Sequence, residues 1–316
     1  MKKGPFSDSW SVLLSVLFLS VMSCTMENSR TSDLSTVEGP LQIVCTTGMI
    51  GDAIARVAGD RAEVVSLMGP GVDPHLYKAT QGDLRKLNRA DLVFFNGLHL
   101  EGKMGEVLEK VGQLKPVVAL GDSLPSRRLI NSTNYASAHD PHIWFDVALW
   151  SEAIGLASQT LARLDTAHRE QYLQGYATFQ AELEALDEEV NRRIHEIPEQ
   201  QRILITAHDA FEYFGRAYDI EVRGLQGIST VSEFGLKDVS DLVNLIVDRG
   251  IKAIFVESSV PRKSLEAVVE GCKQRGHNTT IGGTLYSDAM GAADTPAGTY
   301  PGMVRANVNT IVSALK

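Results

Sequence analysis

The chain has 316 residues, with 30 Lys and Arg against 39 Asp and Glu, a formal net charge of −9, and 44% hydrophobic and 22% charged residues. That acidic balance excludes a protein built around nucleic-acid backbones, which needs a basic face. No apolar run reaches the roughly 18 residues of a spanning helix, which excludes a polytopic membrane protein. At roughly 100–200 residues per domain, the length fits two domains or one large one.

Residues 1–23 are expected to be a signal peptide. Lys2 and Lys3 supply a positive n-region, and residues 12–22, VLLSVLFLSVM, supply an apolar h-region too short to span a bilayer. Val21-Met22-Ser23-Cys24 resembles a loose bacterial lipobox. Cys24 is therefore expected to be lipidated and to become the first residue after cleavage; the alternative is an ordinary signal peptide in which Cys24 is incidental. Export would permit a disulfide between the remaining Cys45 and Cys272, but they lie about 230 residues apart on a predicted strand and a predicted helix and are expected as two buried thiols behaving as small apolar residues. Residues 24–40 are polar and aperiodic and read as a flexible tether.

From residue 41, apolar runs of strand length alternate with segments of helical spacing. LQIVCTT reads as a strand, GDAIARVAG as a helix, AEVVSLM as a strand and DLRKLN as a helix. DLVFFN is a strand, GKMGEVLEKV a helix, KPVVAL a strand, and a long helix runs from about Asp146 to Leu164. This alternation predicts βα units and a parallel sheet covered on both faces. Residues 167–197 differ. Tyr172, Tyr176, Phe179, Leu183, Leu186, Val190, Ile194 and Ile197 recur at steps of mostly three and four, with no proline before Pro198. They predict one continuous amphipathic helix, roughly 46 Å long at 1.5 Å per residue.

The alternation then restarts with strands RILIT, IEVRGL, KAIFVES and TTIGGTLY. Helices DAFEYFGRAY, LKDVSDLVNLIVDRG and PRKSLEAVVEGCKQRG lie between them, and a closing helix spans 302–315. The expected fold is α/β: an N-terminal lobe over 41–164, a linking helix over 165–198 and a C-terminal lobe over 199–316, each lobe with a parallel sheet.

The familiar catalytic motifs are absent: there is no G-x-S-x-G, P-loop, G-x-G-x-x-G after the first strand, H-E-x-x-H or C-x-x-C. Gly69-Pro70-Gly71 lacks the lysine of a phosphate cradle and reads as a stiff turn. Three histidines and one aspartate instead sit just beyond predicted strands or at a helix start: His75 in VDPHLY, His142 in DPHIWFD, His208 in TAHDAF and Asp288 in LYSDAMG. Ligands gather beyond the carboxyl ends of strands in open α/β sheets. Two of the four precede the long helix and two follow it, which points to a cleft between lobes. Three imidazoles and a carboxylate suit Zn²⁺ and accommodate Mn²⁺, but on chemistry alone three unrelated loop histidines are an equal alternative. The Asp-Pro dipeptide before both His75 and His142 restricts the backbone there.

Several longer stretches settle on one resemblance. VDPHLYKATQGDLRKLNRADLVFFNGLHLE, DPHIWFDVALW, ITAHDAFEYFGRAY, FVESSVP, GGTLYSDAMG and GTYPGMVRANVNTIV resemble the TroA-like solute-binding lipoproteins of bacterial zinc and manganese ABC importers, from about Leu41 to Lys316. The resemblance implies two lobes on one backbone helix and a divalent metal held between them by His75, His142, His208 and Asp288. It also implies a membrane permease as partner, a lipid-anchored exported monomer, and no catalytic activity. Manganese-type relatives carry Glu at the third ligand position, where this chain has His208. Zinc-dedicated relatives carry a His/Asp-rich loop before the second ligand, where this chain has only His139.

The other candidates are placed more modestly. His99 is expected to be structural or to support a ligand, His139 to be a solvated loop residue that at most captures metal transiently, His168 and His195 to lie on the surface of the long helix, and His277 at a turn. Glu257 is expected to hydrogen-bond a ligand histidine, or else a backbone amide or Arg262. Trp144 and Phe145 are expected to form a dry packing shell. The competing functions are a secreted zinc-dependent hydrolase, which four protein ligands disfavour because a catalytic zinc keeps an open position, and a metal-stabilised adhesin.

Overall fold

The computed structural model describes residues 33–132 and 138–316; the signal peptide, Cys24 and the first part of the tether lie outside the described residues. β1 (Leu41–Cys45), β2 (Ala62–Ser66), β3 (Leu92–Phe95) and β4 (Val117–Ala119) form a parallel sheet in the order β2-β1-β3-β4. Helices α1 (Gly48–Ala58), α2 (Gln81–Arg89) and α3 (Gly105–Gly112) make the crossovers. β1 is covered on both faces, so Leu41, Ile43, Val44 and Cys45 are all buried and the strand reads as an apolar run rather than an alternation. β2 lies at the edge and shows half-buried and exposed residues in turn. Because the chain starts at β1, runs outward to β2 and then returns to β3, the sheet has a switch point beyond the carboxyl end of β1.

α4 (Val147–Leu164) starts at Asp146, whose carboxylate accepts from the Leu149 amide at 2.9 Å. The long helix follows as α5 (Arg169–Ile194), 26 residues or about 39 Å at the standard rise. It is shorter than the expected 167–197. A separate 3-10 turn occupies Thr166–His168, and the amides of Glu196 and Ile197 reach back only three residues, to Arg193 and Ile194. Ile197 is nevertheless buried, so the apolar spacing runs on through a turn that is no longer α-helical. Near its start α5 lies against α1: a Cβ on Gly175 would stand 2.3 Å from the Val57 carbonyl oxygen, so only glycine permits this approach.

β5 (Ile203–His208), α6 (Glu212–Tyr218), β6 (Glu221–Gln226), α7 (Leu236–Arg249), β7 (Ala253–Glu257), α8 (Lys263–Gln274), β8 (Thr280–Leu285) and α9 (Tyr300–Leu315) build the C-terminal lobe. Its strands form two parallel pairs, β5-β6 and β7-β8, with β5 lying alongside β7. The strand order across the lobe is thus β6-β5-β7-β8, the arrangement of the first lobe repeated without a continuous ladder among the described residues.

One apolar core serves both lobes. It runs from β1, α1 and α4 through the α5 stripe of Tyr172, Phe179, Leu183, Leu186 and Val190 to Phe211, Phe255, Leu285 and α9. Smaller cores lie outside it around Leu87 and Val93 in the first lobe and Ile246 and Ile254 in the second. Cys45 and Cys272 are free and buried, as expected, and burial pushes both thiols up.

The last residues of the tether do not hang free. Arg61, 6% exposed, donates to the carbonyls of Leu34, Val37 and Gly39 and pairs with the fully buried Asp165 at 2.8 Å. Asp165 also accepts from Tyr172 Oη at 2.7 Å and from His168 Nδ1 at 3.0 Å. His168, expected as a surface residue of the long helix, precedes that helix and closes this network.

Candidate metal centre

The chain brings His75, His142, His208 and Asp288 together at one buried point. One donor atom from each lies within 4.8 Å of the other three. His75 stands in the loop after β2, His142 just before the 3-10 turn that leads into α4, His208 at the last position of β5, and Asp288 just after β8. All four are at most 3% exposed.

His75 Nε2 is 3.4 Å from His142 Nε2 and 3.9 Å from Asp288 Oδ2. His142 Nε2 is 3.5 Å from Asp288 Oδ1, and His208 Nε2 is 3.3 Å from Asp288 Oδ2. A tetrahedral ion with bonds of about 2.0–2.1 Å separates its donors by roughly 3.3–3.4 Å, so a single such ion would draw together donors that lie within 4.8 Å of one another.

Local sequence accounts for each position. In both Asp-Pro-His segments, the aspartate accepts from the backbone amide of the histidine two residues on: His75 N to Asp73 Oδ1 at 2.8 Å and His142 N to Asp140 Oδ1 at 2.9 Å. This Asx-type turn, with the intervening proline fixing φ, sets the direction of each imidazole. Asp140 does more, since the same Oδ1 accepts from His142 Nδ1 at 2.7 Å. Sequence reasoning credited the repeated Asp-Pro to backbone stiffness and missed this role. The signal was present in the recurrence of an acceptor two residues before each histidine.

Glu257 does what was expected of it. Its Oε2 accepts from His208 Nδ1 at 2.5 Å, and its Oε1 accepts from the His208 amide at 2.8 Å. A carboxylate can only accept, so the Nδ1 atoms of His142 and His208 carry protons and the lone pairs available for a metal lie on Nε2. Arg262, the other partner considered for Glu257, pairs with Glu266 instead.

The four groups interact strongly with one another, and a metal ion would compete with protons for the same nitrogens. Burial opposes the charge on His208, but Glu257 and Asp288 outweigh it and hold the pKa well above the imidazole range. Burial brings His75 down to about 3, helped by His142 and His208 and opposed by Asp288. Burial would raise Asp288, yet the three imidazoles keep it well below the usual carboxylate range. Neither carboxylate oxygen of Asp288, nor Nε2 of His208, has a hydrogen-bond partner. A buried carboxylate without donors is costly unless a cation sits against it.

Trp144, buried as expected, does more than exclude water. Its ring meets His142 edge-on at 5.3 Å, its Nε1 donates to the Ser287 carbonyl at 3.0 Å, and its own carbonyl accepts from Tyr300 Oη at 2.8 Å. It therefore ties the segment bearing Asp288 to the segment bearing His142. Glu101, which no sequence signal marked, is buried and accepts from Thr46 Oγ1 and the Asn96 and Gly97 amides at 2.7, 2.7 and 3.2 Å. Asn96 in turn donates to the Pro141 carbonyl at 2.9 Å, next to His142.

The remaining histidines stay outside the cluster. His99 is exposed, and His139 is half-buried in an isolated bridge with Asn131. His195 caps α5 through the Asn191 carbonyl at 2.8 Å, and His277 reaches the Ile251 carbonyl at 2.7 Å.

The family described as the zinc-uptake complex component A, periplasmic, matches residues 43–314. The manganese-binding lipoprotein MntA of Bacillus subtilis is 49% identical over 276 residues, 87% of this chain and 90% of its own. The zinc-binding protein TroA of Treponema pallidum is 46% identical over 278 residues, 88% of this chain and 90% of its own. The solved structure of periplasmic zinc-binding TroA from Treponema pallidum superposes with a TM-score of 0.85, covering 88% of this chain and 99% of that one. The two lobes with parallel sheets and the long helix match that fold.

Proposed function

This chain belongs to the family of the periplasmic zinc-uptake complex component A, and from that premise we propose that it captures a divalent transition metal outside the cytoplasm and delivers it to the membrane permease of an ABC importer. The observation that carries the reading is the convergence of three imidazole nitrogens on a buried carboxylate that lacks hydrogen-bond donors. His75, His142, His208 and Asp288 are the proposed ligands, and the metal is cargo rather than a resident cofactor. Zn²⁺ and Mn²⁺ both suit the donor set, and the two similar relatives named above are a manganese binder and a zinc binder. With four protein ligands the shell has no open position for a catalytic water, so the protein is proposed as a carrier and not an enzyme. It acts as a monomer.

Competition titration tests this directly. Wild-type protein is expected to take up one Zn²⁺ or Mn²⁺ reversibly, with micromolar or tighter affinity. Absence of binding would remove the reading. The partners that orient the imidazoles should matter too. Glu257→Gln and Asp140→Asn are each expected to lower metal affinity by about 10- to 100-fold, as loss of such hydrogen bonds does elsewhere; unchanged affinity would mean that the lone pairs are aimed by packing alone.

Export and lipid anchoring at Cys24 belong to the same proposal. No helix among the described residues is long and apolar enough to cross a membrane, and the Bacillus subtilis relative is named a lipoprotein. Cys24→Ser is expected to move the exported protein from the membrane fraction to the soluble one. A wild-type protein already soluble after export would contradict the anchor.

Metal binding should change the overall dimensions little. α5 contains no proline, and the apolar core is continuous from one lobe to the other, so bending at the junction would break helix hydrogen bonds and open the core. Solution scattering is expected to give the same radius of gyration with and without metal, and a marked decrease on loading would reveal a wide hinge.

A further inference from the structure

Two of the four proposed ligands come from each lobe, so the site is only as firm as the contacts that hold the lobes together around it. Behind His142 and His208 a carboxylate steadies each ring. The turn that carries His75 is secured in another way. Asp73 Oδ1 accepts from the His75 amide at 2.8 Å, and Asp73 Oδ2 accepts from Thr230 Oγ1 at 2.6 Å. Thr230 lies 157 positions further on, in the loop after β6 of the opposite lobe. One carboxylate thus fixes the backbone of a ligand with one oxygen and grips the second lobe with the other.

Both ends of this bridge are themselves anchored. Gln226 Nε2 donates to the carbonyl of Thr230 at 2.9 Å and also to that of Ser232. Gln226 ends β6 and stands opposite His208 in the β5–β6 register, so the bridge runs from the His75 turn to the strand beside His208. In the His75 turn, Gly71 has a φ of 72°, and a Cβ on it would stand 3.4 Å from the carbonyl of Ser258, one residue past β7. Side-chain packing is looser on this side of the cleft. A cavity of about 370 Å³ is lined by His75 and, from the opposite lobe, by Ile228 and Val231, and Val231 is 53% exposed. A gap forfeits the contacts that a packed interface would supply, which leaves the hydrogen bond to tie the turn to the second lobe.

We propose that Asp73 and Thr230 form a clasp between the lobes that holds His75 on the bound ion and sets the rate at which the metal leaves. The inference rests on the carrier function proposed above. An O–H···O contact of 2.6 Å is typical of a hydroxyl on a carboxylate, roughly twice as strong as a bond between neutral groups. A departing ion loses its ligands in turn, and His75 moves aside only when its turn moves with it. Neither Asp73 nor Thr230 touches the ion, so both are positioning residues. Because the clasp tightens the site after the ion has entered, its contribution falls on the dissociation rate, where most affinity differences between related complexes lie. It acts on a loop and not on a whole lobe, in keeping with the constant radius of gyration expected above.

The test uses the full mature chain carrying Thr230→Val, which removes the hydroxyl and keeps the branched shape, with Thr230→Ser as the conservative partner. Trp144, whose ring is 5.3 Å from that of His142, reports metal occupancy by fluorescence. Dissociation of Zn²⁺ into excess chelator is expected to quicken by about tenfold in Thr230→Val, the lower end of what a hydrogen bond to a charged group supplies. Association by stopped flow and the metal-free melting temperature are expected to stay at the wild-type values, and Thr230→Ser to keep the wild-type release rate. In an Asp73→Ala background, Thr230→Val is expected to add nothing, because its partner is already gone. Unchanged dissociation in Thr230→Val, with wild-type binding intact, would overturn this inference alone. So would release from Thr230→Ser as fast as from Thr230→Val, which would assign the effect to packing, and so would additive effects of the Asp73 and Thr230 changes. A fall in the metal-free melting temperature that accompanies equal changes in both rates would also overturn it, since the loop would then be loosened in general. A wild type that binds neither Zn²⁺ nor Mn²⁺ would overturn both this inference and the function it rests on.

Discussion

Asp288→Ala will cost more metal affinity than any change outside the four proposed ligands. Asp288 is the only anion in the cluster, and both its oxygens stand within 3.3–3.9 Å of imidazole Nε2 atoms without a donor of their own. Loss of a hydrogen bond to a ligand costs about 10- to 100-fold, and loss of the ligand with its charge should exceed about 100-fold by competition titration. The same change is visible as stability. Wild-type protein at 100 times its dissociation constant gains about 2.7 kcal/mol from bound metal. At roughly 2–4 °C per kcal/mol for domains of about this size, that is a rise in Tm of about 5–11 °C. Asp288→Ala at the same metal concentration should show almost none of it. Alanine at His75, His142 or His208 should behave similarly, since each removal opens the shell. A metal-induced shift of wild-type size in Asp288→Ala would show that the ion is held elsewhere.

The largest effect on the metal-free fold is expected far from that site. Asp165→Ala should destabilise the protein by about 3–5 kcal/mol, because it leaves Arg61 buried with its charge unpaired. By the same scaling Tm falls by roughly 6–20 °C, while metal affinity stays at the wild-type level. Replacing both residues by leucine should restore much of the loss, since an apolar pair needs no solvation. The pH dependence has a definite sign. Burial would raise the Asp165 carboxyl, but hydrogen bonds from His168, Tyr172 and Arg61 outweigh it and hold the pKa below the usual value. The stabilisation is therefore complete above about pH 4, near the unfolded pKa, and is lost as pH falls through the lower folded value. Denaturant melts of wild type and variant should converge on acidification; a constant gap down to pH 2 would show that Asp165 acts through packing rather than charge.

Much of this molecule was legible in the chain before its coordinates. The alternation of apolar runs with helical spacing located the strands and helices of both lobes, because each element must bury a face with its own period. The four donor residues were legible from position, since each lies beyond a strand or at a helix start, and from their resemblance to the metal-importer family. Glu257 was legible as an acidic strand end. Cys45 and Cys272 were legible as small apolar residues on a strand and a helix, and both are buried and free.

The remaining features depend on geometry that periodicity and residue type do not carry. Apolar spacing carried the long helix to Ile197, whereas its backbone changes to a tighter turn after Ile194, because a side chain can remain buried when the hydrogen-bond pattern changes. The fold uses Gly175 to bring α5 onto Val57 of α1, a contact that the helical spacing does not announce. Asp140 read as the partner of a proline, yet it orients His142, and His168 read as a surface residue, yet it closes the Asp165 network. Sequence by itself determined the kinds of element and the donor chemistry, because periodicity and residue type are local properties. Only the tertiary structure decided which nitrogens of the histidines point into the cluster and which carboxylates stand behind His142 and His208. Those depend on where side chains meet, two residues apart for Asp140 and His142 and 49 apart for Glu257 and His208, in a dry interior where an unpaired polar group is costly.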